Sequence, residues 1–205
     1  DVQTVMRHGV TMIGSDGLPT LGRRPHPRLW GTFARVLGRY VRERGVVELA
    51  DGRLRLVCLD STDPPGPGGT LRPDQLVWLD ATLSASPAAT IVALHHPPFA
   101  VGIDFMDEIP LDRTASADPE LIVSRHPQVA LVTGGHVHRA IVTRFGGTVA
   151  ALAPSVANAV NLDLRPGAPP AWTPEPPAFL LHEWVEGRGL VTHLRHVGDY
   201  RVTAF

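Results

Sequence analysis

The sequence has no lysine: all 19 basic residues of the 205-residue chain are arginine. Together with 20 Gly and 20 Pro, that usage reflects a GC-rich genome rather than a function. Cysteine is nearly absent as well. The single Cys58 lies inside an apolar run and excludes an internal disulfide, which permits a reducing compartment. Neither sign of charge dominates, and a net charge of −1 excludes a general attraction to nucleic acid or anionic lipid. No apolar run reaches the length of a transmembrane helix and no signal peptide is visible, so the expectation is a cytoplasmic chain without a membrane span. Internal repeats and domain-sized linkers are missing too. What remains is ordinary: 43% hydrophobic and 19% charged residues, and enough length for one domain with a substantial core.

Histidine is where the chain departs from the ordinary. His95-His96-Pro97-Pro98 follows the apolar run Ala89 to Leu94, and Gly134-Gly135-His136-Val137-His138-Arg139 follows Val129 to Thr133. Short apolar runs bounded by turn residues read as buried strands of an α/β sheet. Both clusters then sit at strand ends, on the rim where open α/β sheets place their ligands. His136 and His138 are two apart, so in extended backbone their imidazoles leave on one side. Several imidazoles converging on one rim suit zinc, iron and other first-row ions, with carboxylates usually completing the shell.

Around this centre the periodicity predicts further elements. Phe33, Val36, Leu37, Tyr40 and Val41 predict a helix from Trp30 to Arg44, and a strand pair follows, Val46–Leu49 with Leu54–Leu59, turning at Asp51-Gly52. Pro73 opens a helix to about Ser84, whose Leu76, Leu79 and Leu83 face the core. A short helix covers Asp118 to Arg125. Ile141–Phe145 and Thr148–Leu152 form a hairpin on Gly146-Gly147, residues 163–177 are Pro-rich loop, and Ala178–Trp184 with Gly189–Arg195 form a last hairpin. Asp60 reads as a turn cap and Met106 as filler, while His126, His182, His193 and His196 read as surface or packing residues.

The paired motifs His-His-Pro-Pro and Gly-His-Val-His, at this separation, resemble the second half of a calcineurin-like binuclear metallophosphoesterase. Within that superfamily the resemblance is strongest to class III cyclic-nucleotide phosphodiesterases and related glycerophosphodiesterases, and it runs roughly from Leu54 to Val197. It implies a four-layer α/β/β/α sandwich with mixed sheets, of which this chain would be the C-terminal portion. It also implies metal-dependent hydrolysis of a small phosphodiester, first a 3′,5′-cyclic nucleotide and then a glycerophosphodiester, by two divalent ions of the Fe/Mn/Zn class. Residue by residue, His95, His136 and His138 would be metal ligands. His96 would lie behind them or on the substrate side, and Arg139, Asp107 and Asn158 near the substrate. Asn158 stands where many relatives carry a pocket histidine. The partner implied is a small phosphodiester, not a nucleic-acid polymer, and relatives make a homodimer an expected assembly.

The pattern also has gaps. The family's Asp-x-His, Gly-Asp-x-x-Asp and Gly-Asn-His-Asp motifs do not occur, and Asp1, His8, Asp16 and His26 do not fall at the required spacings. The expected organisation is therefore an unpatterned, non-homologous stretch over 1–29 and a metallophosphoesterase domain over 30–205 that lacks its N-terminal motifs. Such a chain would be the C-terminal part of a longer protein, with only part of the ligands, an incomplete active site and an apolar sheet edge and face exposed. Two other functions fit parts of the sequence. One is a histidine phosphatase through Arg7-His8-Gly9. The other is a degenerate metallophosphoesterase-like chain serving as a non-catalytic binding module.

Overall fold

The structure is a computed structural model that describes residues 54–62, 67–109, 111–112 and 118–204. The expected helix at Trp30–Arg44, the strand at Val46–Leu49 and the Arg7-His8-Gly9 tripeptide lie outside the described residues.

A five-stranded sheet carries the molecule, in the order β1-β3-β5-β7-β6. Strands β1 (Leu54–Cys58), β3 (Ala89–Ala93), β5 (Val129–Gly134) and β7 (Thr148–Leu152) are mutually parallel, and β6 (Ile141–Phe145) pairs antiparallel with β7. Parallel neighbours need a crossover, and helix α1 (Pro73–Ser84) supplies it between β1 and β3. Among the described residues β1 pairs with β3, running parallel, and the antiparallel partner expected across Asp51-Gly52 lies outside them.

Helix α1 starts where the sequence says it should. Pro73 occupies the first turn, where its missing N–H costs nothing, and the Gln75 side chain accepts from the Arg72 amide at 2.9 Å. The Gln75 amide in turn donates to the Asp60 carbonyl at 2.7 Å, which fixes the helix start to the end of β1. Leu76, Leu79 and Leu83 are buried, as their spacing predicted. Helix α3 (Pro119–Ser124) is capped by Asp118, whose carboxylate accepts from the Glu120 amide at 2.8 Å. The β6–β7 hairpin turns on Gly146 and Gly147 with φ of 56° and 86°, the left-handed pair that a tight hairpin turn requires.

Alternation along the strands divides the core in two. Val57, Val92, Val132 and Ala150 face α1 and α3 and join Leu76, Leu79, Leu83, Ile122 and Val123. Their neighbours Leu56, Ile91, Leu131 and Ala151 face the other way, against Leu180 and Leu190. Those two residues belong to the antiparallel hairpin of β10 (Ala178–Val185) and β11 (Gly189–His196). Helices cover one face of the sheet, and a two-stranded ribbon packs on part of the other. The protein is of the mixed α/β class, with parallel and antiparallel pairings in one sheet.

Short elements escaped the sequence reading because two to four residues show no period. They are β2 (Gly69–Thr70) paired with β4 (Leu111–Asp112), helix α2 (Asp104–Asp107), and β8 (Ala159–Val160) paired with β9 (Trp172–Thr173). The last of these places a strand inside the expected Pro-rich loop. On the Ala151 face of the β6–β7 hairpin, Val142 and Val149 are exposed apolar residues.

Two further side chains have settled roles. Burial pushes the Cys58 thiol up to about 11, which keeps it protonated at neutral pH. Asp80 on α1 accepts from His126 at 2.7 Å and pairs with Arg125 at 3.1 Å, both just past α3, so it clasps the two helices together. The hydrogen bond from His126, first, and Arg125 hold the Asp80 carboxyl below the usual carboxylate range. A depressed folded-state pKa contributes stability above the unfolded value that is lost as pH falls through the folded one. The clasp is partly solvated, so Asp80→Asn should cost no more than about 1 kcal/mol. Thermal melts should show that deficit at neutral pH and see it close below the ordinary carboxylate range. A deficit that does not change with pH would assign Asp80 a purely steric role.

Candidate metal centre

The centre is built by two neighbouring strand ends. Parallel pairing of β3 and β5 brings residues 94–96 and 134–136 side by side, and backbone bonds lock them. The Leu94 amide donates to the Thr133 carbonyl at 3.0 Å and the Gly135 amide to the His95 carbonyl at 3.0 Å. Beyond β5 the chain must turn at once, because the Val137 amide donates to the Gly135 carbonyl at 2.8 Å and the Val137 side chain is fully buried. It packs with Ile103, Met106, Leu152 and Val160. This anchor forces the flanking histidines into the left-handed region, His136 at φ 68° and His138 at φ 59°. Side chains rarely adopt that conformation, and it costs roughly 1–2 kcal/mol at each position. The expectation of extended backbone through His136 and His138, with both rings leaving one side, is thereby corrected.

Among the described residues, His95, His96 and His136 form a group of potential metal donors. His95 Nε2 lies 3.2 Å from His136 Nδ1. Two nitrogens each roughly 2.0–2.1 Å from one ion, at an angle between right and tetrahedral, stand about 2.9–3.4 Å apart. The spacing therefore fits two ligands of a single ion. No carboxylate belongs to this group of described residues.

His96 is different in kind. It is buried, and both of its ring nitrogens are engaged within the protein. Ser61 Oγ lies 3.0 Å from Nδ1 and the Pro67 carbonyl 3.1 Å from Nε2. The ring stands edge-on to His95, centroids 4.7 Å apart, and 4.6 Å from the His136 ring. Burial, first, and the neighbouring His95 lower its pKa to about 4, so it is neutral at physiological pH.

The other expected site residues are not members of that group. His138 has its Nδ1 2.9 Å from the Asn158 carbonyl and its ring 5.6 Å from that of Trp172. Asn158 is an exposed residue whose backbone, not its side chain, makes this contact. Arg139 donates to the Val160 carbonyl and to the Glu175 carboxylate, each at 2.6 Å. Asp107 accepts from the amides of Val101 at 2.7 Å and Gly102 at 2.8 Å, closing the loop ahead of α2. Asp60 caps a turn, accepting from the Thr62 amide at 3.1 Å, and Met106 fills the core beneath Val137. Sequence reasoning missed Ser61, Pro67 and Gly69. A Cβ on Gly69 would meet the His96 ring at 2.4 Å, a close approach with no short-range signal.

No family model matches the chain. Curated relatives do. A probable glycerophosphodiester phosphodiesterase of Arcobacter nitrofigilis is 33% identical over 155 residues, covering 74% of this chain and 56% of that protein. A probable cyclic nucleotide phosphodiesterase of Synechococcus is 38% identical over 120 residues, covering 58% and 44%. The chain spans about half the length of these two relatives. A D-aminoacylase of Alcaligenes xylosoxydans xylosoxydans is 63% identical over 49 residues, 24% of this chain but 10% of that protein. The relatives matching most of the chain are phosphodiesterases, in agreement with the calcineurin-like resemblance of the histidine motifs over part of the chain.

The left-handed backbone at His136 yields a test. Glycine adopts that φ without strain, whereas alanine keeps the Cβ that causes it. His136→Gly should therefore be more stable than His136→Ala by about 1 kcal/mol, the reverse of the usual order. Denaturant melts of the two variants would show it. Equal stability would mean that the backbone relaxes and that Val137 does not enforce the turn.

Proposed function

We infer that this chain is the histidine-bearing part of a metal-dependent phosphodiesterase of the calcineurin-like kind, acting on a small phosphodiester. The observation that carries the reading is the 3.2 Å separation of His95 Nε2 and His136 Nδ1 at two adjacent parallel-strand ends. The phosphodiesterase relatives over more than half of the chain support it.

Bound divalent ions of the Fe/Mn/Zn class would neutralise phosphate charge and activate a water, the chemistry that an anionic, shielded phosphodiester requires. The chain's own residues hold and orient. His95 and His136 present the two nitrogens that fit one ion. In His138 the Nδ1–H donates to the Asn158 carbonyl, which places the ring's lone pair on Nε2 and suits it to a second position. The resemblance assigns Arg139, tied to Glu175, and Asp107, tied to its own loop, to the substrate side of this rim. The remaining ligands would come from the family's carboxylate-bearing motifs, and the sheet and ribbon described here would form part of the four-layer sandwich.

A cyclic nucleotide and a glycerophosphodiester are the two substrate classes supported by the relatives, as both are small diesters of one chemistry. Family resemblance extends the proposal to a homodimer in the cytoplasm. Among the described residues, no helix is long and apolar enough to cross a membrane.

Metal content by mass spectrometry, beside turnover of bis-p-nitrophenyl phosphate with added Mn²⁺, tests the proposal. The chain should retain metal, and His95→Ala and His136→Ala should each reduce retention at least tenfold and abolish any turnover. Metal held undiminished in both variants, or turnover insensitive to chelator, would overturn it.

A further inference from the structure

We propose that Ser61, Pro67 and Gly69 form a clamp on His96 which makes it a positioning residue, not a third ligand, and holds His95 and His136 at the bite of one ion. This rests on the metal-site reading above and goes beyond it. It decides what the third member of the histidine group does, and it assigns work to residues that no motif includes.

Proton bookkeeping fixes the arrangement. A carbonyl can only accept, so the 3.1 Å contact with Pro67 requires the hydrogen on His96 Nε2. A neutral imidazole then has its lone pair on Nδ1, which faces Ser61 Oγ at 3.0 Å. That hydroxyl already accepts from the His96 backbone amide at 3.2 Å and so has its own hydrogen to donate to Nδ1. Every donor in the chain of contacts meets an acceptor. His96 is left with no lone pair to offer a metal, although it stands within the group. A ring locked at both nitrogens and buried to 4% exposure is also immobile.

Its position is fixed from behind. A Cβ at Gly69 would overlap the His96 ring at 2.4 Å and the Ser61 carbonyl at 2.7 Å, so only glycine allows the ring to sit this deep. The ring also contacts those of His95 and His136, 4.7 and 4.6 Å away between centroids, while the two nitrogens of that pair are 3.2 Å apart. By fixing a ring that touches both, the clamp sets the separation of the two nitrogens offered to the ion. Supports of this kind typically change metal affinity by 10–100-fold when removed.

The test uses the 205-residue chain and two measurements. Long-range ¹H–¹⁵N spectra should show His96 neutral with its hydrogen on Nε2, and adding Zn²⁺ should move the His95 and His136 ring nitrogens but not His96 Nδ1. Titration calorimetry with Zn²⁺ should show affinity lowered at least tenfold by Ser61→Ala and by Gly69→Ala. A His96 hydrogen on Nδ1, direct coordination of His96, or wild-type affinity in both variants would overturn the clamp. The spectra of the unaltered chain decide it even if a variant does not fold. Absence of any Zn²⁺ binding by the unaltered chain would instead overturn the metal-site reading, leaving the His96 hydrogen to decide the clamp separately.

Discussion

The hydrogen bond from the Gly135 amide to the His95 carbonyl is the contact on which the centre depends. It extends the β3–β5 pairing two residues past the last ladder pair, Ala93 with Thr133, where two chains leaving a sheet would otherwise diverge. Parallel pairing brings two residues 41 apart in sequence to one place, and this bond keeps their side chains facing across a narrow gap. A Cβ at Gly134 would sit 3.2 Å from the Leu94 carbonyl, so a small residue there is part of the same close approach. The site is a property of the sheet's edge geometry rather than of flexible loops.

Behind that bond stand two apolar supports with separate tasks. The cluster under α1 and α3 fixes where β3 and β5 lie, because Val92 and Val132 are inserted into it. The smaller cluster around Val137 fixes how the chain turns after β5. A fully buried valine contributes roughly 1.5–3 kcal/mol, enough to offset the left-handed strain of one flanking histidine and much of the second. Core packing therefore determines the orientation of polar groups that it does not touch.

Much of this was legible in the sequence, for identifiable reasons. Pro73 and the Leu76, Leu79, Leu83 stripe are local signals, and α1 occupies the span that they mark. Gly146-Gly147 between two β-branched runs marked the hairpin, and the apolar runs before each histidine cluster marked β3 and β5. What was not legible depends on long-range contacts. His96 and His138 look alike in sequence, yet one is gripped by Ser61 and Pro67, 35 and 29 residues away, and the other turns toward Asn158, 20 residues on. The period-two rule placed His136 and His138 on one side. It failed because it assumes extended backbone, and Val137's burial removes that backbone at both positions.

The strained pair has an evolutionary side. At positions 136 and 138 the most comfortable residue is glycine, so stability alone favours losing the histidines. A lineage that ceased to use this rim would gain stability from each such loss and should drift toward glycine or asparagine there. Histidine in a left-handed turn stands against the preference of the fold. Positions 136 and 138 would report on the history of the site in descendants whose remaining motifs have already decayed.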